Sequence, residues 1–444
     1  MTGDFSRRTF DPGKHFSRVL LQQGRVLLDS DWNEQTSILL HFLRTLARDI
    51  IGPHGGPGDS FQIVSLSDDA GAATIADDNF AITAGNYYVD GILCVNEPPD
   101  DNTARVPYRN QPFYTAREGD KLPDYPFVIY LDVWERHVTA IEQPHIREIA
   151  LNGPDTAIRA QVVWEVKTVH VTDNDLRHWD LANSNSWDSF VGAKIRSSGK
   201  LRAEAKQSEE PKDANCLIPA EARYRGPENQ LYRVEIHDPG KPGKATFKWS
   251  RNNAAHIYGI RGPIVLNGGT LTLAIDNLGR DAEHMLAEGD WVEVVNRDYT
   301  LRGEPRPLLK VNRVFHNERR ITLEGAPDAL PDSTSGGMPM VVRWDQKRDT
   351  TNTGVVELPT GGAPIELEQG VFVQFQPNER YNTGDYWLIP ARTLTRDVEW
   401  PWGDGVGFLP PHGPHHYYAP LALAKGANDI EHLRRSFKFL HELS

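Results

Sequence analysis

Beyond the first sixty residues the chain is a succession of short apolar and β-branched runs, each cut off by Gly, Pro or Asn-Asp punctuation, and this pattern constrains the fold most. Such runs are too short for buried helices and suit strands joined by turns. Residues 80–95 read as a hairpin, two apolar runs divided by Asp90-Gly91, a pair favoured in tight primed turns. The run 127–139 is rich in Val, Ile, Tyr and Trp and alternates poorly, as a strand buried on both faces would; Pro144 breaks it, and a fourth strand spans 158–171. Further strands are expected at 230–236, 245–249, 264–275, 291–295, 307–314, 320–324 and 341–344, with a final pair within 370–389. No internal repeat of solenoid or propeller period appears. The expected fold is mainly β with a short N-terminal helix (α+β), multi-domain, with a β-sandwich or small-barrel body.

At 444 residues the chain is too long for one ordinary core. The predicted organisation is a docking arm, hairpin and helix at 1–58, a first β-rich domain at 59–172, a polar insertion or linker at 173–221, a second β-rich domain or two at 222–426, and a closing helix at 427–444. That last helix would be capped by Asn428 or Asp429, with Leu433, Phe437 and Leu440 on one face. A net charge of −13 disfavours nonspecific nucleic-acid binding. Two cysteines, Cys94 and Cys216, are too few for a disulfide framework and read as buried thiols. No apolar run approaches the ~20 residues of a membrane helix, and the N-terminus is charged and aromatic where a secretion signal would be apolar. Synthesis in the cytoplasm without a signal peptide is expected, with any export as part of a released or extracellular particle.

The N-terminal fifty residues read as an architectural device. Phe5, Phe10 and Phe16 are spaced along a polar arm with Arg7, Arg8 and Arg18, a composition suited to docking aromatic anchors while the arginines find carboxylates. A strand pair is expected at 19–21 and 25–28. Asp31 reads as a helix N-cap and Glu34 as its capping-box partner, so the predicted helix starts at Trp32. Its apolar positions Trp32, Leu39, Phe42, Leu43, Leu46 and Ile50 recur at helical spacing, and Gly52-Pro53 stops it. Two readings stand: an ordinary first helix packed on its own domain, or an assembly arm that orders against a neighbour.

The runs Gly3-Asp4-Phe5-Ser6-Arg7 and Gly24-Arg25-Val26-Leu27-Leu28-Asp29-Ser30-Asp31-Trp32-Asn33-Glu34 resemble the opening of a family of bacterial proteins of unknown function. The resemblance continues through Tyr87-Tyr88-Val89-Asp90-Gly91 and the segments 130–136, 228–237, 247–251, 384–392 and 415–422, nearly the whole chain. The opening and the Tyr-Val-Asp-Gly turn are also similar to components of phage tails and phage-like contractile injection systems. That likeness implies a non-enzymatic structural or accessory part, associated with baseplate, spike or fibre, whose partners are other subunits of an assembly or further copies of itself. It brings no activity to carry over. The alternatives are cargo of such a particle, or a carbohydrate-binding or carbohydrate-active β protein with a glycan partner.

Signatures of chemistry are few. There is no Gly-x-Ser-x-Gly elbow and no His-Glu-x-x-His pair. The run Gly240-Lys241-Pro242-Gly243-Lys244 has Asp238 and Ala245 where a phosphate loop needs Gly and Ser or Thr, and the glycines of 52–58 follow a helix instead of linking a strand to one. His412, His415 and His416, with Asp404 conceivable as a fourth ligand, form the best metal candidate. In an extended segment, however, adjacent His415 and His416 point to opposite faces, leaving too few ligands for a catalytic zinc. Acid pairs such as Asp132 with Glu135, or Glu235 with Asp238, suit glycoside hydrolysis if their separation fits. Trp387, Trp400 and Trp402, near Tyr381 and Tyr386, suit a sugar-stacking or protein-binding platform, or a large β core. We expect no catalytic, cofactor or metal residues, and interaction through Phe5, Arg7, Arg8, Phe10, Phe16, Trp387, Trp400 and Trp402.

Overall fold

The computed structural model describes residues 2–66, 74–76, 78–98, 104–115, 120–207, 223–279, 285–324, 338–347, 350–401 and 407–439. The protein is mainly β, and it divides into two units, each assembled from separated stretches of chain. One, the barrel unit, comprises Met1–Arg7, His137–Ala160 and Ser197–Pro414; the other, the arm unit, comprises Arg8–Arg136, Gln161–Arg196 and His415–Ser444.

In the arm unit, strands Gly85–Val89 and Ile92–Asn96 form the expected hairpin, with Val89 opposite Ile92. Asp90 (φ 49) and Gly91 (φ 78) are both left-handed, as a primed two-residue turn requires. Gly91 is needed for a second reason: a Cβ there would collide with the carbonyl of Arg44 in helix α1 (Asp29–Ile51). Strand Phe127–Val138 lies between Tyr417–Gly426 and Arg159–His170 in a four-stranded sheet. Its Phe127, Ile129, Leu131 and Val133 enter a core with Phe61, Tyr87 and Trp164, while Val128 and Tyr130 on the other face meet Trp187, Phe190 and Val191. The two-residue period therefore divides one continuous apolar run between two cores.

Those last three residues belong to a helix in what reads as a polar insertion. The segment instead holds α2 (Asp173–His178), α3 (Ser184–Lys194) and strand Leu201–Ala205, while residues 208–222 lie outside the described residues. The local signals are present: Thr172 and Asp175 form a capping box, and the Asn183 side chain accepts the Asn185 and Ser186 N–H groups. The closing helix expected at 427–444 is also overturned. Asp429–His432 pairs antiparallel with Tyr417–Gly426, and Ser436–Phe437 runs parallel to His54–Pro57. A short isolated helix is marginal, and two sheet edges offer this segment backbone partners that outweigh its helical spacing. Leu440 lies outside the described residues.

The barrel unit holds a sandwich and a closed barrel. A five-stranded sheet, in the order Val356–Glu357, Thr246–Ser250, Gln230–Ile236, Tyr386–Arg392 and Asp397–Val398, shares one core with a three-stranded sheet of Ile365–Glu368, Val371–Phe375 and Leu201–Ala205. Six strands between Ile257–Asn267 and Met340–Trp344 close the barrel, filled by Tyr258, Leu271, Val292, Leu309 and Ile321 among others. The single strand expected at 264–275 is two, Ile257–Asn267 and Thr270–Ile275, turning at Gly268-Gly269 where both φ angles are positive. Cys94 is a free, fully buried thiol in the arm unit, and Cys216 lies outside the described residues. Among the described residues no helix is long and apolar enough to cross a membrane.

Candidate functional site

Residues 8–28 form an irregular arm. The strand pair expected there reduces to a turn in which the Arg25 N–H donates to the Gln22 carbonyl at 3.3 Å, because so small a hairpin with no sheet beside it does not hold. Leu20, Leu21, Val26 and Leu27 are left exposed. Helix α1 begins at Asp29, three residues before the predicted start. Leu28 is its N-cap, and Asp31 stands at the third helical position, where its carboxylate accepts the Leu28 N–H at 3.2 Å. Glu34 is not part of a capping box but holds the arm, accepting the Thr9 hydroxyl at 2.6 Å. Beside it the Gln35 side-chain oxygen accepts the Val19 N–H at 2.8 Å.

The side of α1 that faces its own unit is largely polar. Arg44 donates twice to Glu135, at 3.1 and 2.9 Å, and Arg48 pairs with Asp90 at 3.3 Å on the hairpin turn. His41 meets the Phe10 ring with centroids 5.7 Å apart. Of the whole helix only Ser30 and Ile38 are buried. The apolar stripe points away: Trp32, Leu39, Leu43, Leu46 and Ile50 are between 54% and 74% exposed, with Leu40 and Phe42 beside them. An amphipathic helix normally turns this stripe to its core; here the arrangement is reversed. Together with the arm it makes a contiguous apolar strip in sequence, of the kind that marks interaction sites.

The other expected interaction residues divide sharply. Phe5 and Phe10 are half-buried, Phe16 is exposed, and Arg7 and Arg8 are exposed. Trp387 and Trp400 are not a platform: both are buried in the sandwich core, their indole N–H groups donating to the carbonyls of Leu409 (3.0 Å) and Gly407 (2.8 Å). Tyr381 is wholly buried beside them. Large rings with one satisfied polar edge are what a thick β core demands. Trp402 and Asp404 lie outside the described residues.

The three histidines do not converge. His412, in the barrel unit, accepts the Leu388 N–H at 3.0 Å through Nδ1 and lies against Trp400. His416, in the arm unit, holds Asp132 at 2.7 Å and stacks between Trp134 and Tyr418. Burial, then the Arg8 guanidinium, holds His415 below the ordinary imidazole value. Among the described residues no cluster of three His, Cys, Asp or Glu is placed to hold a metal ion.

The acid pairs are likewise committed. Burial opposes ionisation of Asp132, but His416 and Lys167 outweigh it and keep its carboxyl well below the usual range, while Glu135 is bound to Arg44. Glu235 belongs to a buried ionic chain that runs from the sandwich to the barrel within the barrel unit. Arg233 pairs with Glu235 at 2.6 Å, Lys248 bridges Glu235 (3.4 Å) and Glu293 (2.5 Å), and the Trp344 indole donates to Glu293 at 3.2 Å. Lys248 lies 4.4 Å from the Trp344 ring centroid and Arg233 only 3.7 Å from that of Tyr386. Burial works against the charge on Lys248, and Glu293 and Glu235 more than restore it. Asp238 is separate from the chain, accepting the Thr246 hydroxyl at 2.6 Å. A carboxylate held ionised by two cations is a poor general acid.

The barrel unit also holds a cavity of about 170 Å³, lined by Tyr224, Tyr232, Arg251, His256, Arg343 and Glu368 among others. It is below the ~300 Å³ of ordinary ligand pockets, and Glu368 within it is already bound by both ends of the Arg251 guanidinium at 2.6 Å and by the Tyr232 hydroxyl at 3.0 Å. The uncovered strip of arm and α1 is thus the feature of the described surface least explained by the fold's own needs. No curated protein and no solved structure matches this chain. Residues 1–189 and 190–430 both match the family of unknown function DUF6519, and the chain belongs to that family.

Proposed function

We propose that this chain is a non-catalytic structural subunit of a larger protein assembly, a baseplate-, spike- or fibre-associated part of a phage-tail-like contractile injection particle. The observation that carries the assembly reading is the reversed helix. A leucine-sized side chain gains roughly 1.5–3 kcal/mol on leaving water, and α1 with its arm leaves thirteen large apolar side chains without much of that gain in the isolated chain. A partner surface would supply it. The particle class rests on the likeness of Gly3-Asp4-Phe5-Ser6-Arg7 and of the Tyr87–Gly91 turn to phage-tail components.

The test is isolation of intact particles from producing cells and quantification of this chain against the sheath and tube subunits. A structural part is present at a fixed, symmetry-related ratio. Absence from purified particles, or a ratio that varies with expression level, would overturn the reading.

A further inference from the structure

The exposed stripe of α1 has a definite period. Trp32, Thr36, Leu39, Leu43, Leu46 and Ile50 succeed one another by alternating steps of four and three, a strict 3.5-residue repeat along almost the whole helix, and all six are exposed. The same spacing serves any amphipathic helix packed on its own core; here the stripe, widened by Leu40 and Phe42, stands exposed along the helix, so the period is left for a partner to use. A repeat of 3.5 keeps its seam turned toward another helix over many turns, because the slight mismatch with 3.6 is taken up by supercoiling.

We propose that the occupant of this seam is α1 of a second copy of the same chain, giving a homotypic coiled-coil contact. This inference rests on the assembly reading above and names one partner. Three observations select a second copy. The positions flanking the seam are Asn33, Leu40 and Ala47 on one side and Gln35, Phe42 and Asp49 on the other, so a single charge borders it and like-charge repulsion does not oppose self-pairing. Thr36, Leu43 and Ile50 fall in one heptad class and Trp32, Leu39 and Leu46 in the other, so β-branched residues stand only in the first class and leucines fill two of the three places in the second, a distribution closer to that of paired parallel helices than to its reverse. Seven large apolar residues of α1, Trp32, Leu39, Leu40, Phe42, Leu43, Leu46 and Ile50, stand exposed along one helix, a continuous apolar area for a second copy to cover. The contact is isologous, each seam covering the other, so it closes without building a filament.

Light scattering on the eluting full-length protein at micromolar concentration tests this. The expected result is a mass of twice the single chain, and a double substitution Leu39→Lys with Leu46→Lys should return it to one chain. Because both positions are exposed in the single chain, the variant should keep the near-ultraviolet circular dichroism of the folded protein, which separates lost pairing from lost folding. As a second reading, Leu43→Cys should give an oxidised cross-linked dimer that the unsubstituted protein does not. A wild-type protein of single-chain mass without the cross-link overturns the proposal, as does a multimer that survives the double lysine substitution. A single-chain protein found at fixed ratio in particles would sink the homotypic seam and leave the assembly reading intact; a seam-dependent dimer absent from particles would do the reverse.

Discussion

Trp32 and Trp387 are the same residue in opposite circumstances. Trp387 is wholly buried in the sandwich core with its indole N–H satisfied, while Trp32 stands 68% exposed on α1. In the sequence Trp387 suits a binding platform or a large β core, and Trp32 a packed helix or an assembly arm; the fold puts Trp387 in the core and leaves Trp32 uncovered. Periodicity reveals that a segment has an apolar face; what covers the face depends on what the rest of the chain brings opposite it. Two sheets close over Trp387, whereas α1 is held to its unit by Arg44, Arg48 and Gln35 and turns its apolar stripe away.

The contrast can be broken at several points. The largest effect should come from the charged interior of the barrel unit. Lys248→Met takes from the buried Glu293 the cation that touches it, and should cost about 3–5 kcal/mol in urea unfolding. Loss of less than 1 kcal/mol would mean that water reaches the chain of charges. Trp387→Ala should cost about as much, roughly 3–5 kcal/mol, because it empties a packed core. The matching Trp32→Ala should stay within about 0.5 kcal/mol in the dissociated chain. Equal costs at the two tryptophans would show that the α1 face is covered within a single copy and would remove the ground for both proposals.

A pH series separates the units further. Burial first, and then Arg435, hold His54 of the arm unit down from 6.5 to about 4, its Nδ1 lying 2.9 Å from the Tyr87 hydroxyl. The unfolded chain therefore takes up a proton below pH 6.5 that the folded chain refuses until about pH 4. Stability is full above that window and falls as the pH drops through it, by roughly 3 kcal/mol from this group. His54→Gln should remove that part of the slope; His237 of the barrel unit, also held down to about 4 by burial and then by Lys248, should keep its own. An unchanged slope in the His54 variant would assign the acid sensitivity elsewhere. The smallest effect is expected at Asp31→Ala. As a carboxylate at the third helical position it should contribute about 0.3–1 kcal/mol through the helix dipole and the Leu28 N–H. A cost near 2 kcal/mol would restore it as the N-cap that its position in the sequence suggests.

Much of the β architecture was legible locally. The Asp90-Gly91 turn and the strands Gln230–Ile236, Trp291–Val295 and Arg320–Glu324 follow from side-chain pattern and turn chemistry alone. Pairing was not legible, because Phe127–Val138 finds its neighbour Tyr417–Gly426 across nearly the length of the chain, and neither segment carries a local mark of the other. The helix α3 was missed for a different reason: Trp187, Phe190 and Val191 have helical spacing, but Asp, Asn and Ser around them conceal it. The candidate surface was half legible. The helical stripe stands in the sequence, while the polar inner face that leaves it unused depends on Glu135 and Asp90, which no pattern places beneath α1.

The pairing of Phe127–Val138 with Tyr417–Gly426 also orders events during synthesis. Chains are made N-terminus first and usually fold in that order, domain by domain. Here the barrel unit's last stretch ends at Pro414, whereas the arm unit's central sheet lacks a strand until Tyr417–Gly426 has left the ribosome. The barrel unit can therefore finish before the arm unit, and through that interval one edge of Phe127–Val138 is open to wrong partners. Chains ended after residue 414 and held on the ribosome by an added linker long enough to clear the exit tunnel should resist protease in the barrel unit while being cut in the arm unit; equal resistance in both would contradict this order.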